Sequence, residues 1–193
     1  MKFNICMLSY WHIGSGSGQG PLADALVLKD EHGLPYIPGK TIQGLFLEAV
    51  TTLKEVGFSL PLTVEELFGK EGRDYNSKRA LLFNSACIDD NLKRKLINKD
   101  DGVKNFAFYE YISSTAIDEK TGIAVKNTLK TIEVCIPLTL NTEIEIITTD
   151  KEKELDKKIE EKLEEKLELA AKTIRYLGSH RHRGLGKCSI EKV

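Results

Sequence analysis

A glycine-rich basic segment, GSHRHRGLGK at 178–187, has the composition of a phosphate-binding loop. Glycine lets the backbone approach a ligand closely and turn its N–H groups outward, while arginine supplies planar donors that match phosphate oxygens. The sequence therefore predicts contacts to a nucleic-acid backbone from His180, Arg181, His182, Arg183, Gly184 and Gly186. The alternative is an ordinary exposed loop, because basic residues are also favoured beside a helix C-terminus.

A second anion-binding segment is predicted where LPYIPGKTIQG, at 34–44, leads into a helix. The first N–H groups of a helix are unpaired, and the helix dipole favours negative charge there. The predicted contacts are Gly39, Lys40, Thr41 and Gln43. The Gly-Lys-Thr run is similar to the end of a P-loop, but the upstream glycine of that motif is absent, which argues against nucleotide hydrolysis. The alternative is an ordinary helix start with Thr41 as the N-cap.

Two acids and three histidines have side chains suited to catalysis. Asp24 and Asp30 precede that helix, and an aspartate with an ordinary pKa of about 3.9 is ionised at neutral pH. Such a carboxylate could hold Mg²⁺ beside a scissile phosphate or orient a 2′-hydroxyl for attack, but a lone Asp more often caps a loop. If a 2′-hydroxyl is the nucleophile, DNA resists cleavage. His12, His180 and His182 could act as a general acid or base, although His12 also suits a structural role.

Composition narrows the class of protein. The 193 residues, 41% hydrophobic and 30% charged, are typical of one globular domain. A net charge of −1 argues against coating nucleic acid through bulk charge and leaves a local groove open. No apolar run reaches the roughly 20 residues that cross a bilayer, so a cytoplasmic protein without membrane contact is expected. Buried reduced thiols are expected, with a zinc site as the weaker alternative, at Cys6, Cys87, Cys135 and Cys188.

Helices and strands alternate along the chain in an order that must position these residues. Apolar residues at helical spacing predict one helix from about Gly39 to Gly57 and another from Leu155 to Leu177, which Gly178 ends. Strands are predicted at 2–10, 79–88, 142–148 and 188–193, and a long β-hairpin at 106–140. The mixture favours an α+β fold, a ferredoxin-like split βαβ core into which the hairpin is inserted.

Five stretches, in order along nearly the whole chain, resemble motifs of the RAMP superfamily. They are WHIGSG at 11–16, LPYIPGKTIQG at 34–44, LFGKEG at 67–72 with RALLFNSACI at 79–88, STAIDEKTGIAVKNTLKTIEVCIP at 114–137, and SHRHRGLGK at 179–187. The agreement in order makes the resemblance specific. The stretch at 114–137 is similar to the hairpin, or thumb, of the backbone subunits in type III CRISPR effector complexes.

The resemblance implies a single ferredoxin-like, RRM-like domain over 1–193, with 106–140 as its thumb and a C-terminal glycine-rich loop. Such a subunit would polymerise along a guide RNA, so its partners would be guide RNA, target RNA, other CRISPR effector subunits and copies of itself. The resemblance also implies that Asp24 cleaves the paired target RNA with Mg²⁺ or another divalent cation, Asp30 being the weaker match. His12 joins the expected RNA contacts.

Three alternatives stay open at this point. One is a non-cleaving RAMP subunit that caps or spaces the complex, and another is a guide-processing endoribonuclease that acts through His12 or His180. A generic RRM-like RNA binder ranks last, because the aromatic pattern of RNP motifs is missing from the candidate strands. The leading hypothesis expects the helix start at Gly39–Gln43 and the turn at His180–Gly186 to form one cradle for a ribose-phosphate strand.

Overall fold

In the computed structural model, which describes residues 1–20, 22–69, 80–97, 108–147 and 157–193, the chain forms two antiparallel sheets and four α-helices. In chain order the elements are β1 (Lys2–Met7), α1 (Gly39–Glu55), α2 (Val64–Phe68), β2 (Leu81–Phe83), α3 (Asp90–Ile97), β3 (Tyr109–Ser114), β4 (Lys130–Cys135), β5 (Thr139–Ile146), α4 (Lys157–Thr173) and β6 (Cys188–Lys192). A 3-10 turn at Arg181–Arg183 precedes β6. None of the helices in these ranges is long and apolar enough to span a bilayer.

The main sheet has the strand order β2-β5-β1-β6, and every neighbouring pair is antiparallel. In chain order α1 lies between β1 and β2, and α4 lies between β5 and β6. Leaving aside the short helices α2 and α3 and the hairpin strands β3 and β4, the sequence of elements is βαββαβ, which is the order that a split βαβ core requires. The prediction of an α+β fold is therefore confirmed.

Alternation along β1 explains how the core forms on one face of this sheet. Phe3, Ile5 and Met7 are buried, as period-two spacing places them on the same side of a strand. The Phe3 ring meets the ring of Phe46 on α1 edge to face, with centroids 5.7 Å apart. Burying each such large apolar side chain stabilises the fold by about 1.5–3 kcal/mol. α1 and α4 share this core through apolar stripes, whose buried members are Ile42, Phe46, Ala49 and Val50, and Leu163, Leu167, Ala170 and Ala171.

The predicted hairpin is present as the two-stranded sheet of β3 and β4. The two strands pair from Tyr109 opposite Cys135 to Ser114 opposite Lys130, and a further bridge joins Ile117 to Ala124 nearer the tip. At the turn, the Asp118 carboxylate accepts hydrogen bonds from the backbone N–H groups of Lys120 and Thr121. The predicted end of the hairpin at residue 140 was too late, because β4 ends at Cys135 and residues 139–140 belong to β5.

The strand predicted at 79–88 is interrupted. Asn84 donates its N–H to Glu143, and Cys87 donates to Asn141, so the β2 side of the ladder carries one residue more than β5. Such an extra residue is a β-bulge, which bends a strand. Past the bulge Ala86 also exchanges hydrogen bonds with Ile37, so the segment that leads into α1 pairs with the outer edge of this strand.

The helix predicted to run to Leu177 ends at Thr173, so the prediction that Gly178 terminates it is wrong. Beyond Thr173 the chain is extended: Cys188 donates its N–H to the carbonyl of Arg175, and Leu177 donates to the carbonyl of Gly186. Ile174 and Leu177 are nevertheless buried, so the spacing of apolar residues that predicted the helix continues into the extended chain after it. Parts of several predicted elements lie outside the described residues, namely 79, 106–107, 148 and 155–156.

All four cysteines are free, as predicted, but the expectation that all four are buried is wrong for Cys6 and Cys87, which are only partly buried. Cys135 and Cys188 are buried, and burial raises the pKa of the Cys135 thiol to about 12 and that of Cys188 to about 11. Because the thiolate is the reactive form, these two thiols are inert at neutral pH.

Candidate nucleic-acid interface

The glycine-rich loop at 178–187 is closed by two glycines that pack against the backbone. Gly178 has φ +82°, and a Cβ there would lie 2.5 Å from the carbonyl oxygen of His12. Gly186 has φ +73°, and a Cβ there would overlap the carbonyl oxygen of Leu177. Gly186 is also buried, with its N–H donating to the Tyr10 carbonyl at 2.7 Å and its own carbonyl accepting from Leu177. Gly186 therefore shapes the loop from inside instead of facing a ligand.

The rest of the loop presents the predicted basic side chains to solvent. His180, His182, Arg183 and Gly184 are exposed, and the backbone turns at His180 and Gly184, which have φ +59° and +88°. Arg181 is half-buried, and its two terminal nitrogens donate to the two carboxylate oxygens of Glu48 on α1 at 3.2 and 3.3 Å. Among the basic side chains of the loop, Arg181 is thus paired with Glu48 on α1, whereas those of His182 and Arg183 are exposed to solvent.

His12 is buried behind this loop, with 3% of its surface exposed. Its Nδ1 lies 2.6 Å from the carbonyl oxygen of Glu133, and since a carbonyl only accepts, Nδ1 carries the proton. The His12 carbonyl in turn accepts from the Ser179 N–H at 2.9 Å. The buried ring is placed to support the loop, and it is not presented to a ligand in solvent.

The N-terminus of α1 packs against another part of the same chain, where an anion was expected to bind. The helix begins after Pro38, which has no side-chain cap, so the alternative of Thr41 as N-cap is wrong. A Cβ at Gly39 would overlap the Phe83 carbonyl, and the Gly39 N–H donates to the Ser85 hydroxyl at 3.2 Å. The Thr41 N–H donates to the Pro38 carbonyl at 2.9 Å. The glycine is therefore explained by close packing, and the amides expected to bind an anion are largely paired.

The side chains of Lys40 and Gln43, at the same helix start, lie in different environments. Lys40 is exposed, whereas the Gln43 side chain donates to the Phe68 carbonyl on α2 at 2.8 Å. Glu48, where the loop meets α1, lies about 14 Å along the helix axis from Gly39 and about 8 Å from Gln43, at about 1.5 Å per residue. The single cradle expected from Gly39–Gln43 and His180–Gly186 is therefore not formed by those two segments directly.

The loop instead borders a cleft against the middle of α1. This cleft has a volume of about 720 Å³. Residues of α1, the extended chain after α4 and the loop line it, among them Leu45, Glu48, Thr52, Tyr176, Arg181 and His182. Sequence reasoning missed Glu48 and Tyr176, because neither belongs to a motif and only the fold brings them beside the loop.

Asp24 lies exposed at the base of the hairpin, where the chain runs beside β4. Its N–H donates to the Thr131 carbonyl at 2.7 Å, and the Thr131 N–H donates to Asp24 Oδ2 at 2.8 Å. Among the described residues, no donor forms a hydrogen bond with the other carboxylate oxygen of Asp24, Oδ1, so this oxygen can accept a ligand. The same ranges contain no group of three His, Cys, Asp or Glu side chains that could hold a metal. A cation at Asp24 would therefore need oxygens from a phosphate and water, which is how Mg²⁺ is commonly held.

Asp30, the weaker catalytic match, is a structural residue. Its Oδ1 accepts from the N–H groups of His32 and Leu34, both at 2.9 Å, and its Oδ2 pairs with Lys93 on α3 at 2.8 Å. Burial raises the pKa of this carboxyl, but the hydrogen bonds from Lys93, Leu34 and His32 outweigh it and lower the pKa below its usual value. Both oxygens of Asp30 are engaged, in contrast to Asp24.

Glu133 on β4 joins the Asp24 segment to the loop. Only 3% of its surface is exposed. Its carboxylate accepts from the Val27 N–H at 2.9 Å and from the Lys29 ammonium at 2.8 Å, while its N–H donates to Ala25 and its carbonyl accepts from His12. The signal in the sequence was an acid within the apolar run Ile132–Ile136, which the sequence analysis did not single out.

Comparison with known proteins identifies the family of this chain and structures that share its fold. The family model of the RAMP superfamily matches residues 5–189, and the chain belongs to this superfamily, which confirms the resemblance. A cryo-EM structure of the type III-B Cmr-beta bound to cognate target RNA has the same fold, with a TM-score of 0.64, 12% sequence identity, and a match covering 98% of this chain and 95% of that one. The apo state of type III-B Cmr-beta gives a TM-score of 0.63, 14% identity and the same coverage of 98% and 95%. No curated protein matches the sequence.

Proposed function

We propose that this protein is a guide-RNA-binding backbone subunit of a type III CRISPR ribonucleoprotein. The observation that carries the proposal is the exposed basic turn of the glycine-rich loop, held rigidly beside a cleft in a RAMP-superfamily fold. Arg183 and His182 project from that turn, where planar and ring N–H donors suit phosphate oxygens. One structure with this fold is a type III-B Cmr-beta bound to cognate target RNA, and that likeness supports RNA as the ligand.

The partners that follow from this function are guide RNA, target RNA, other effector subunits and further copies of the chain. The hairpin of β3 and β4 supports an assembly role, because its outer part exposes apolar side chains. Ile117 is 55% exposed, Ile123 68% and Leu129 69%. Apolar side chains clustered on a projecting element mark a contact surface.

We further propose that Asp24 cleaves the target RNA with Mg²⁺ or another divalent cation. The carboxylate fits such a role, since Oδ1 can take a ligand while the pairing of Oδ2 and the backbone with Thr131 fixes the side chain. The cation, when bound, would stabilise charge on the phosphate that is attacked. Asp24 itself would hold the cation and orient the 2′-hydroxyl, so RNA and not DNA is the substrate.

The test is Asp24→Asn in the assembled ribonucleoprotein, presented with a complementary RNA. Asn keeps an oxygen for the Thr131 N–H and removes the negative charge, so guide binding should persist while cleavage falls about 100-fold or more. Asp30→Asn is the matched control and should cleave at the wild-type rate. Cleavage by Asp24→Asn at the wild-type rate would remove the catalytic part of the proposal.

The non-cleaving subunit is the second candidate, because the Thr131 amide already occupies one oxygen of Asp24. It predicts guide binding without any cut in target RNA by the wild-type complex. A guide-processing nuclease that acts through His12 has less support, since His12 is buried and its Nδ1 is bonded to the Glu133 carbonyl. One that acts through His180 would use an exposed ring on the glycine-rich loop, and cutting of precursor RNA by the isolated protein tests it.

A further inference from the structure

The cleft beside the glycine-rich loop has the size and lining of a ligand site. Its volume of about 720 Å³ lies within the range of roughly 300–1,000 Å³ that is usual for small-molecule pockets. Leu45, Ala49 and Ile174 contribute apolar surface to it. Tyr176 lines the same cleft and is 42% exposed, so a flat aromatic ring lies next to apolar walls.

Basic side chains also line the cleft. Arg175, Arg181 and His182 line it from the chain after α4 and from the loop. Glu48 is the acid among the lining residues, and both its oxygens accept from Arg181 at 3.2 and 3.3 Å. A carboxylate held by both terminal nitrogens of a guanidinium occupies the place that a phosphate would take. Glu48 and Arg181 are 59% and 38% exposed, so an incoming anion can reach the pair.

We propose that this cleft binds one unpaired nucleotide of the RNA strand. The base packs on the apolar wall against Tyr176, and its phosphate replaces the Glu48 carboxylate on Arg181. This inference rests on the proposed RNA-binding function and deepens it, because it assigns a base-binding position that the loop alone does not provide. Stacking on an aromatic ring tolerates any base, so the cleft would bind without sequence preference.

The experiment uses the full chain and a single-stranded RNA containing 4-thiouridine. Tyr176→Ala should lower the affinity about tenfold, within the range measured for base–aromatic stacking, and Tyr176→Phe should restore it. Thr52→Trp, on the α1 side of the cleft, should fill it and lower the affinity while leaving the sequence of the loop unchanged. Photocross-links in the wild-type protein should map to the peptide that contains Tyr176. Tyr111→Ala is the matched control, since Tyr111 is 48% exposed on the hairpin.

Glu48→Gln tests the second half of the proposal. Removing the carboxylate charge frees Arg181, so RNA affinity should rise by about two- to fivefold, the amount that breaking an exposed ion pair corresponds to. A fall in affinity would contradict the displacement of Glu48 by phosphate.

The outcomes separate this inference from the proposed function. RNA that binds wild type, Tyr176→Ala and Thr52→Trp equally, while Arg183→Ala weakens binding, would overturn the nucleotide cleft and leave the RNA-binding loop in place. If the Tyr176→Ala protein binds RNA normally but no longer associates with other copies of the chain, the cleft is a protein-docking site and the inference is overturned. Failure of the wild-type chain to bind any RNA would remove both.

Discussion

At the residue scale, two aspartates six positions apart have different roles because of their hydrogen-bond partners. Asp24 and Asp30 both lie in the segment before α1, and sequence reasoning could separate them only by a motif match. In the structure Asp30 has both oxygens engaged by Lys93 and two backbone amides, while Asp24 retains Oδ1. Which carboxylate is available for chemistry depends on a contact with α3 that is distant in sequence, so the motif alone could not show it.

Asp30→Asn is expected to lower the free energy of unfolding by about 1 kcal/mol at pH 7, the upper value for ion pairs with partial exposure. Asn can still accept from the His32 and Leu34 amides, so the loss reports the Lys93 pair. The folded-state pKa of Asp30 lies below its ordinary value of about 3.9, so this stability is present above that pH and is lost as the pH falls through the folded pKa.

Urea unfolding of both proteins between pH 7 and pH 3 measures this difference, which should shrink at the acid end. Glu119→Gln, which changes an exposed acid in the hairpin turn, should follow the wild-type curve throughout. A deficit for Asp30→Asn that stays constant from pH 7 to the acid limit would contradict the ion-pair explanation.

The glycines give a second comparison at the residue scale. Gly39 and Gly186 were interpreted as places where the backbone approaches a ligand, and Gly178 as the end of a helix. A Cβ at each would instead meet another part of the same backbone. Glycine marks a close approach in either case. The sequence predicted that the approach occurs, and it could not show that the neighbouring atoms belong to Phe83, His12 and Leu177.

At the scale of elements, local periodicity predicted what depends on local sequence. The first strand and α1 begin where alternation and helical spacing placed them, whereas β5 begins at Thr139, three residues before the predicted start. A local signal also marks the start of α2, where Thr63 and Glu66 form a capping box. The predictions that were wrong concern positions where hydrogen bonds to residues distant in the sequence determine where an element bends or ends. The bulge after β2 follows from pairing with β5, and the early end of α4 follows from pairing of residues 175–177 with 186–188. Neither partner is near in sequence, so neither difference had a local signal.

The hairpin is attached to the core by Glu133, and removing that carboxylate should loosen the attachment. Glu133→Ala leaves the Val27 N–H unpaired in a buried site, which costs about 1–3 kcal/mol, and also removes the ion pair of Lys29, which keeps its contact with the Tyr109 ring. Glu133→Gln keeps an acceptor for Val27 and should lose less. Urea unfolding gives the stabilities, and hydrogen exchange of the Val27 amide reports the attachment directly.

Glu110 offers the matched control for this prediction, since it is a glutamate on β3 that is exposed and pairs with the Tyr10 hydroxyl at 3.0 Å. Glu110→Ala should change the free energy of unfolding by no more than about 0.5 kcal/mol. Equal losses for Glu110→Ala and Glu133→Ala would show that the buried network around Glu133 does not fasten the hairpin.

At the scale of the whole molecule, the net charge of −1 means that RNA affinity must come from a few placed cations. The sequence singled out the glycine-rich loop because it combines Arg181, Arg183 and Lys187 with glycines and contains no acid, and the composition of a short segment is a local property. It did not predict that Arg181 is paired with Glu48, or that the helix start at Gly39 faces β2 and α2. The proposed RNA-binding surface therefore leaves out most of the helix start and includes the cleft at the middle of α1.

Salt dependence distinguishes placed contacts from general attraction. If Arg183 contacts one phosphate, Arg183→Ala should weaken binding of single-stranded RNA and make the slope of log affinity against log salt shallower by about 0.7. Arg181→Ala should change the slope less, because Glu48 already neutralises that guanidinium in the free protein. Lys162→Ala, on the exposed face of α4, is the control and should leave the slope unchanged. Fluorescence anisotropy from low to physiological salt gives all four slopes, and equal changes for Arg183→Ala and Lys162→Ala would mean that the loop is not where the RNA backbone binds.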